Sequence, residues 1–301
     1  MKNLYFFSPL YIKRRIMENM DQLSIITDEI CQNIEHVLDI SQKYGIKDVE
    51  LRKVWDKNIA NFTDSDLKKL KKLLDERNMG VSMISGPFGK CVLPGSKYAK
   101  NNGESFSRNV EYNLGLFERL VEISDILETQ NIRVFNFLKM GSEVNEESWK
   151  LMMDTIKPYV NKAESLNKVL MLENEHFCFL DTIKNTRRFF NEIDSNAIKL
   201  NLDPGNYYSA GEPTDTKAYE EFYENNWVGH VHVKDPKFKL PFIGGTFGVV
   251  GKGKIDYKSL FKQALRHDYD GYFSLETHVL IKKEKTSIRS LENISDMLKS
   301  L

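Results

Sequence analysis

The fold class this sequence predicts is α/β, a single-domain (β/α)8 TIM barrel. Three observations carry it. Short aliphatic runs alternate with longer amphipathic stretches from residue 23 onward, there are eight such runs, and the last four close on a carboxylate or an imidazole. Alternating βα units argue for a parallel sheet covered by helices, and eight regular units argue for a closed barrel over a doubly wound open sheet. The 301 residues fit one barrel, which typically needs about 250. No Gly-rich dinucleotide fingerprint follows the first strand and no GxxxxGK[ST] occurs, so neither nucleotide-binding motif is present.

The strand candidates are LSIIT (23–27), DVELR (48–52), VSMIS (81–85), RVFNFL (133–138), KVLMLE (168–173), IKLNLD (198–203), VGHVHV (228–233) and YFSLET (272–277). Each is rich in the aliphatic, β-branched or aromatic residues that suit a pleated, covered sheet. After the first strand, IEHVLDISQKYG puts Ile34, Val37, Leu38 and Ser41 on one helical face and stops at Gly45. After the second, DSDLKKLKKLLDERNMG sets Leu67, Leu70 and Leu74 on the inner face, with Thr63 or Asp64 as the cap and Gly80 as the stop. Helical patterns also run over 104–129 and 146–166, and the chain ends in one, TSIRSLENISDMLKSL. Two stretches rich in Gly, Pro and Lys, 85–108 and 234–256, read as irregular loops on the face where the strands end. Long loops there shape pockets or close over them. Residues 1–22 are expected to form an N-terminal extension, either disordered or upstream of a true start at Met17 or Met20, and 23–301 to form the barrel.

Lys plus Arg and Asp plus Glu number 43 each, so no excess charge draws a polyanion and nucleic acid is not expected as a partner. No apolar run approaches the roughly 20 residues a membrane span requires. Cys31, Cys91 and Cys178 are odd in number and widely spaced, which reads as reduced thiols in a cytoplasmic protein rather than as a disulfide framework.

Glu173, Asp203, His232 and Glu276 end strands 5, 6, 7 and 8. Taken singly, each has an ordinary explanation. Glu173 is loop polarity, Asp203 opens a Pro-Gly turn, His232 is a core histidine, and Glu276 is a strand reaching water. Taken together, neighbouring barrel strands bring their ends around one point. Three carboxylates and an imidazole are a hard donor set for one divalent ion, Mn²⁺ first, with Mg²⁺, Co²⁺ and Zn²⁺ as alternatives. Such an ion acidifies a C–H beside a carbonyl, and two glutamates on opposite faces of a substrate can remove and return that proton.

The segments LSIITDEI, GIKDVELR, MLENEH, LDPGN, GHVHVKD and GKGKIDYKSLFKQALRHDYDGYFSLETH, in that order, resemble the xylose-isomerase-like TIM barrels. This is the sugar phosphate isomerase/epimerase superfamily, whose members include ketose 3-epimerases, inosose dehydratase and endonuclease IV. The resemblance covers the chain from residue 23. It implies that Glu173, Asp203, His232 and Glu276 hold the metal and that Glu173 and Glu276 are the catalytic acid–base pair. His176 matches the histidine of the family's ENH motif, as a substrate contact or a support for the ligands. Asn206 stands where the epimerases often carry His, a departure from that branch. Lys234 and Asp235 match the HxKD form also found in inosose dehydratase. With Glu50, which ends strand 2 beside Arg52, these four are the substrate-binding candidates; a solvated loop lysine and an internal ion pair are the competing explanations for Lys234 and Glu50.

The implied function is a metal-dependent sugar isomerase or epimerase that moves a proton next to a carbonyl through an enediolate. The first alternative is a metal-dependent lyase or dehydratase acting on a keto-inositol or 3-keto glycoside, the second an inactive sugar-binding barrel. The expected partner is a small sugar or polyol, and barrels of this type commonly pair as homodimers. The endonuclease IV branch fits poorly, because its trinuclear site needs more histidines than the six here and the strand-7 loop has no DxH. Gly251, Lys252 and Gly253 are the candidates for holding a substrate phosphate.

Overall fold

The computed structural model describes residues 20–99, 109–140, 144–240 and 244–301. The eight aliphatic runs pair in it as parallel strands: β1 Leu23–Ile25, β2 Asp48–Leu51, β3 Gly80–Ile84, β4 Asn131–Val134, β5 Val169–Glu173, β6 Ile198–Leu202, β7 Val228–Val233 and β8 Tyr272–Leu275. Their order around the sheet is β1-β8-β7-β6-β5-β4-β3-β2, and a parallel bridge between Ile26 and Glu50 joins the first strand to the last. The sheet therefore closes as a (β/α)8 barrel. Register then levels the ends that matter. Glu173 lies opposite Asn201, Asn201 opposite His230, and His232 opposite Ser274, so β5 to β8 finish side by side.

Around the barrel lie α1 Ile34–Lys43, α2 Asp64–Asp75, α3 Val110–Ile126, α4 Glu146–Ser165, α5 Ile183–Ile193, α6 Pro204–Ala210, α7 Glu220–Glu224, α8 Tyr257–Arg266 and α9 Lys283–Lys299. Most begin at a residue whose side chain accepts one of the helix's free N–H groups. At α2 the cap is Thr63, which accepts from Asp66 N while the Asp66 carboxylate accepts from Thr63 N. The inner faces carry Leu67, Leu70 and Leu74 of α2 and Trp149, Met152 and Ile156 of α4 into the core, where each is at most 1% exposed. Burial of such side chains contributes about 1.5–3 kcal/mol each before entropy is charged against it.

Several expectations shift. Gly80 does not stop α2: the helix ends at Asp75 with Glu76 as its C-cap, Asn78 takes the left-handed turn at φ 51°, and Gly80 opens β3, where a Cβ would lie 2.1 Å from Asp48 Oδ1. β4 ends at Val134, four residues short of its expected end. Beyond it the N–H groups of Phe135, Phe137 and Leu138 donate to the carbonyls of Phe88, Gly89 and Cys91, so the chain there pairs with a loop instead of the barrel. The stretch 234–256 is not irregular throughout. Asp235–Leu240 and Gly244–Gly248 pair as an antiparallel hairpin over the mouth of the barrel, and a smaller hairpin joins Lys53–Val54 to Lys57–Asn58.

Of the expected N-terminal extension, residues 1–19 lie outside the described residues. Gln22 already belongs to the barrel, since its carbonyl accepts from Phe273 N and its amide donates to Tyr269 O at 2.7 Å. Among the described residues no helix is long and apolar enough to cross a membrane.

The loop after β3 depends on Gly89, at φ +79°, where a Cβ would sit 1.9 Å from the Phe135 carbonyl oxygen. Both the left-handed backbone and a clash with main chain oppose a side chain. Gly89→Ala is therefore expected to destabilise the barrel by about 2–3 kcal/mol. Urea unfolding checks this, and an unchanged midpoint would refute it.

Candidate metal centre and substrate cavity

Four local devices place the acidic cluster. Glu173 is the last residue of β5. Asp203 follows β6 and caps α6, its Oδ1 accepting Asn206 N at 2.9 Å, with Pro204 pre-set for the first helical position. Gly205 lets this turn approach β7 closely, because a Cβ there would meet Lys234 O at 2.7 Å. His232 alternates with His230 on the inner side of β7, and Glu276 is the first residue beyond β8. One donor atom from each of Glu173, Asp203, His232 and Glu276 lies within 4.8 Å of the others, and all four residues are buried.

The surroundings of each are polar and charged. Glu173 accepts from Asn206 Nδ2 at 3.0 Å on one oxygen and from Arg133 Nη1 at 3.3 Å on the other. Glu276 accepts from Arg52 Nη1 at 2.6 Å and from Lys234 Nζ at 2.8 Å. Arg52 is held in turn by Asp28 and Glu29. Lys234 Nζ also lies 2.6 Å from Asp203 Oδ2, but without hydrogen-bond alignment, so that buried oxygen has no directional partner. His232 turns Nδ1 toward the acids, 3.4 Å from Glu276 and 3.8 Å from Glu173.

Electrostatics follow from this crowding. Burial pushes the Asp203 carboxyl up to about 6; Glu276 and Glu173 push the same way, against the pull of Lys234. For Glu276, burial is outweighed by Lys234 and His232, which hold it well below the usual carboxylate range. Glu173 is also lowered, burial being overcome by Arg133 and His232. His232 is pushed well above its ordinary value, because Glu50 and Glu173 overcome its burial. Without an ion the cluster thus keeps protons on His232 and, below about pH 6, on Asp203.

A hard oxygen set with one imidazole, one unsatisfied carboxylate oxygen and protons waiting to be displaced fits a divalent cation. The expected consequence is a metal affinity that falls with acidity. Asp203, raised to about 6, takes up a proton as the pH falls through that value, so the loss should steepen below about pH 6. Titration calorimetry with Mn²⁺ between pH 5 and 8 reads that slope; a flat profile would contradict it.

A cavity of about 930 Å³ opens above the cluster. Glu173, Glu276, Arg52, Arg133, Lys234 and Asn206 form its floor, Phe247 of the hairpin and Val249 just beyond it one wall, and residues 278–282 part of its rim. His176 also borders it, with Nδ1 2.6 Å from Glu175 and its ring against Phe177.

Two expected substrate contacts are elsewhere. Glu50 is fully buried beneath the cluster, its oxygens taken by Ser85, His230 and His232. Asp235 accepts the N–H groups of Gly251 at 2.8 Å, Gly253 at 2.9 Å and Ile255 at 3.2 Å, which pins the loop after the hairpin. That also removes the Gly251 and Gly253 amides from any role in holding a phosphate.

Arg133 was not anticipated as a floor residue, although a guanidinium at the head of an aliphatic strand signals a buried partner. Asp28 and Glu29, just past strand 1, obey the same strand-end rule that found the other acids. Lys90, paired with Glu175 at 3.0 Å on the cavity wall, left no such signal inside its Gly-rich loop.

A family model for the xylose isomerase-like TIM barrel matches residues 38–297. Inosose dehydratase of Clostridium perfringens is 24% identical over 232 residues, covering 72% of this chain and 76% of that protein. Among solved structures, the probable 3-DHS dehydratase AsbF of Bacillus anthracis superposes with a TM-score of 0.70 at 16% identity, over 91% of this chain and 98% of its own. L-ribulose 3-epimerase gives a TM-score of 0.70 at 14% identity, over 93% and 95%.

Proposed function

From the premise that the chain belongs to the xylose isomerase-like TIM barrel family, we propose that it is a divalent-metal-dependent lyase that removes water from a keto-polyol, with a keto-inositol as the first substrate to test and a 3-keto glycoside as the second. Lys234 carries this reading. Its ammonium is buried at the cavity floor, 2.6 Å from Asp203 and 2.8 Å from Glu276. An epimerase needs a base on each face of a carbon. An elimination needs a base and also a proton for the departing hydroxyl, and a buried ammonium at the cavity floor supplies that acid.

Glu173, Asp203, His232 and Glu276 would hold the ion, Mn²⁺ by preference. Bound there, it would polarise the ketone and the neighbouring hydroxyl oxygen of the substrate. Glu173 takes the proton from the carbon beside the ketone, Lys234 Nζ delivers a proton to the β-hydroxyl, and the C–O bond breaks as the C=C bond forms. One C–H and one C–O bond are lost and one water leaves. Exchange with solvent resets Glu173 and Lys234. Asn206 and His176 offer hydrogen bonds to the remaining hydroxyls. The inosose dehydratase relative supports the same reading, as does the HxKD sequence at His232–Asp235.

One observation favours a second reading. Glu173 and Glu276 both border the cavity, an arrangement that would also serve a sugar isomerase or epimerase. Incubating the Mn²⁺-loaded protein in D₂O with keto-inositols, 3-keto glycosides and free ketoses, beside a chelated control, separates the two by NMR. Loss of water with a new C=C bond supports the lyase. Metal-dependent deuterium next to the carbonyl with no fragment lost moves the protein to the epimerase reading. Silence with every substrate would favour a sugar-binding barrel without turnover.

A further inference from the structure

Under the proposed metal centre a second polar group spans the barrel interior. Glu50, from β2, lies between two imidazoles of β7: His232 Nε2 is 3.0 Å from its Oε1, and His230 Nε2 is 3.1 Å from its Oε2. Ser85 Oγ donates to the same carboxylate. All four side chains are completely buried. We infer that Glu50 is a positioning residue for the metal centre, keeping the His232 proton on Nε2 so that Nδ1 presents its lone pair to the ion, with His230 fixing Glu50. This rests on the reading that His232 is a ligand.

The geometry leaves His232 little choice. A neutral imidazole carries one N–H, and the nitrogen facing a carboxylate at hydrogen-bond distance is the one that keeps it. Nε2 has the closer carboxylate, Glu50 at 3.0 Å, against 3.4 Å and 3.8 Å from Nδ1 to Glu276 and Glu173, so Nδ1 is the nitrogen an ion among the acids would take, its proton being the one displaced. His230 shares a face of β7 with His232 because residues two apart in a strand point the same way. That alternation lets a single carboxylate from the opposite side of the barrel reach both rings. Among the described residues Glu50 has no Lys or Arg partner, so imidazole and hydroxyl donors are what satisfy it. The trio is not better read as a second metal site. Its donor atoms lie within 4.8 Å of one another, close enough for an ion, but the substrate cavity above does not reach Glu50 or His230, and each ring already has a carboxylate oxygen at hydrogen-bond distance.

Mn²⁺ calorimetry on Glu50→Gln, His230→Gln and His232→Asn, with the visible spectrum of the Co²⁺-loaded forms and a melting curve of each metal-free chain, tests the inference. Glu50→Gln is expected to bind Mn²⁺ about 10–100-fold more weakly and to shift the Co²⁺ bands, and His230→Gln to do so by a smaller factor. A merely structural Glu50 would lower the melting temperature without moving the Co²⁺ bands, and that result would overturn the inference. So would two ions bound per chain. If His232→Asn loses the ion while Glu50→Gln keeps wild-type affinity and spectrum, the inference fails and the metal centre stands. If His232→Asn binds as the wild type does, the metal centre itself is misassigned and the inference falls with it.

Discussion

Glu173→Gln will turn over substrate about 10²–10⁴-fold more slowly than the wild type, the range by which a positioned general base accelerates proton transfer. The substitution keeps the shape of the side chain and one accepting oxygen, which can still meet Arg133 or Asn206. It removes the second acceptor and the capacity to hold a proton. Wild-type turnover in this variant would refute the assignment of the base, and a matching melting temperature would show that the loss is chemical. Glu276→Gln is a less clean probe. Both oxygens of Glu276 accept from cations, Arg52 and Lys234, so an amide must point its NH₂ at one of them. That variant should lose stability as well as activity.

Lys234→Met is the second large effect, and it separates the two functional readings. In the lyase the variant cannot protonate the leaving hydroxyl, so elimination should fall by about 10²–10⁴-fold while deuterium still enters beside the carbonyl. In an epimerase, exchange and product formation would instead fall together. The same change acts on the fold. Lys234 is an ammonium buried among Asp203, Glu276 and Glu173, and removing one member of such a group costs about 3–5 kcal/mol because the remaining charges are left uncompensated. The metal-free variant should therefore melt earlier, and Mn²⁺ should restore more stability to it than to the wild type. Melting curves with and without Mn²⁺ read the second effect, and equal shifts in both chains would refute it.

The barrel was legible because each strand is covered on both faces and so writes itself as a short aliphatic run. The ends of β5 to β8 were legible for the same reason, since a carboxylate that closes such a run has few places to point except the mouth. The rule broke down where a polar side chain faces inward below the mouth. Glu50 lies one residue before the end of β2, and it points at two histidines instead of the cavity, a difference set by β7 across the barrel. The hairpin after His232 was hidden because Gly, Pro and Lys dominate its composition, and these residues signal loops. Its pairing comes from backbone bonds that no side-chain pattern encodes. Arg133 was hidden because a cation inside a strand looks like a strand end until its partners Glu173 and Ser85 are seen.

Asp235 has a consequence for what the barrel can grip. An anion is already seated at the amides of Gly251, Gly253 and Ile255, and it belongs to the chain itself. A phosphate handle far from the reacting carbon is a common source of intrinsic binding energy, which enzymes use to hold a small substrate in its reactive pose. The amides of Gly251, Gly253 and Ile255 are not free to hold one. On the proposed reading the hold on the substrate comes from contacts close to the chemistry, through hydroxyl groups and the polarised ketone. A derivative with one hydroxyl removed would on this view lose rate as well as affinity, because the groups that bind it are also the groups that orient it.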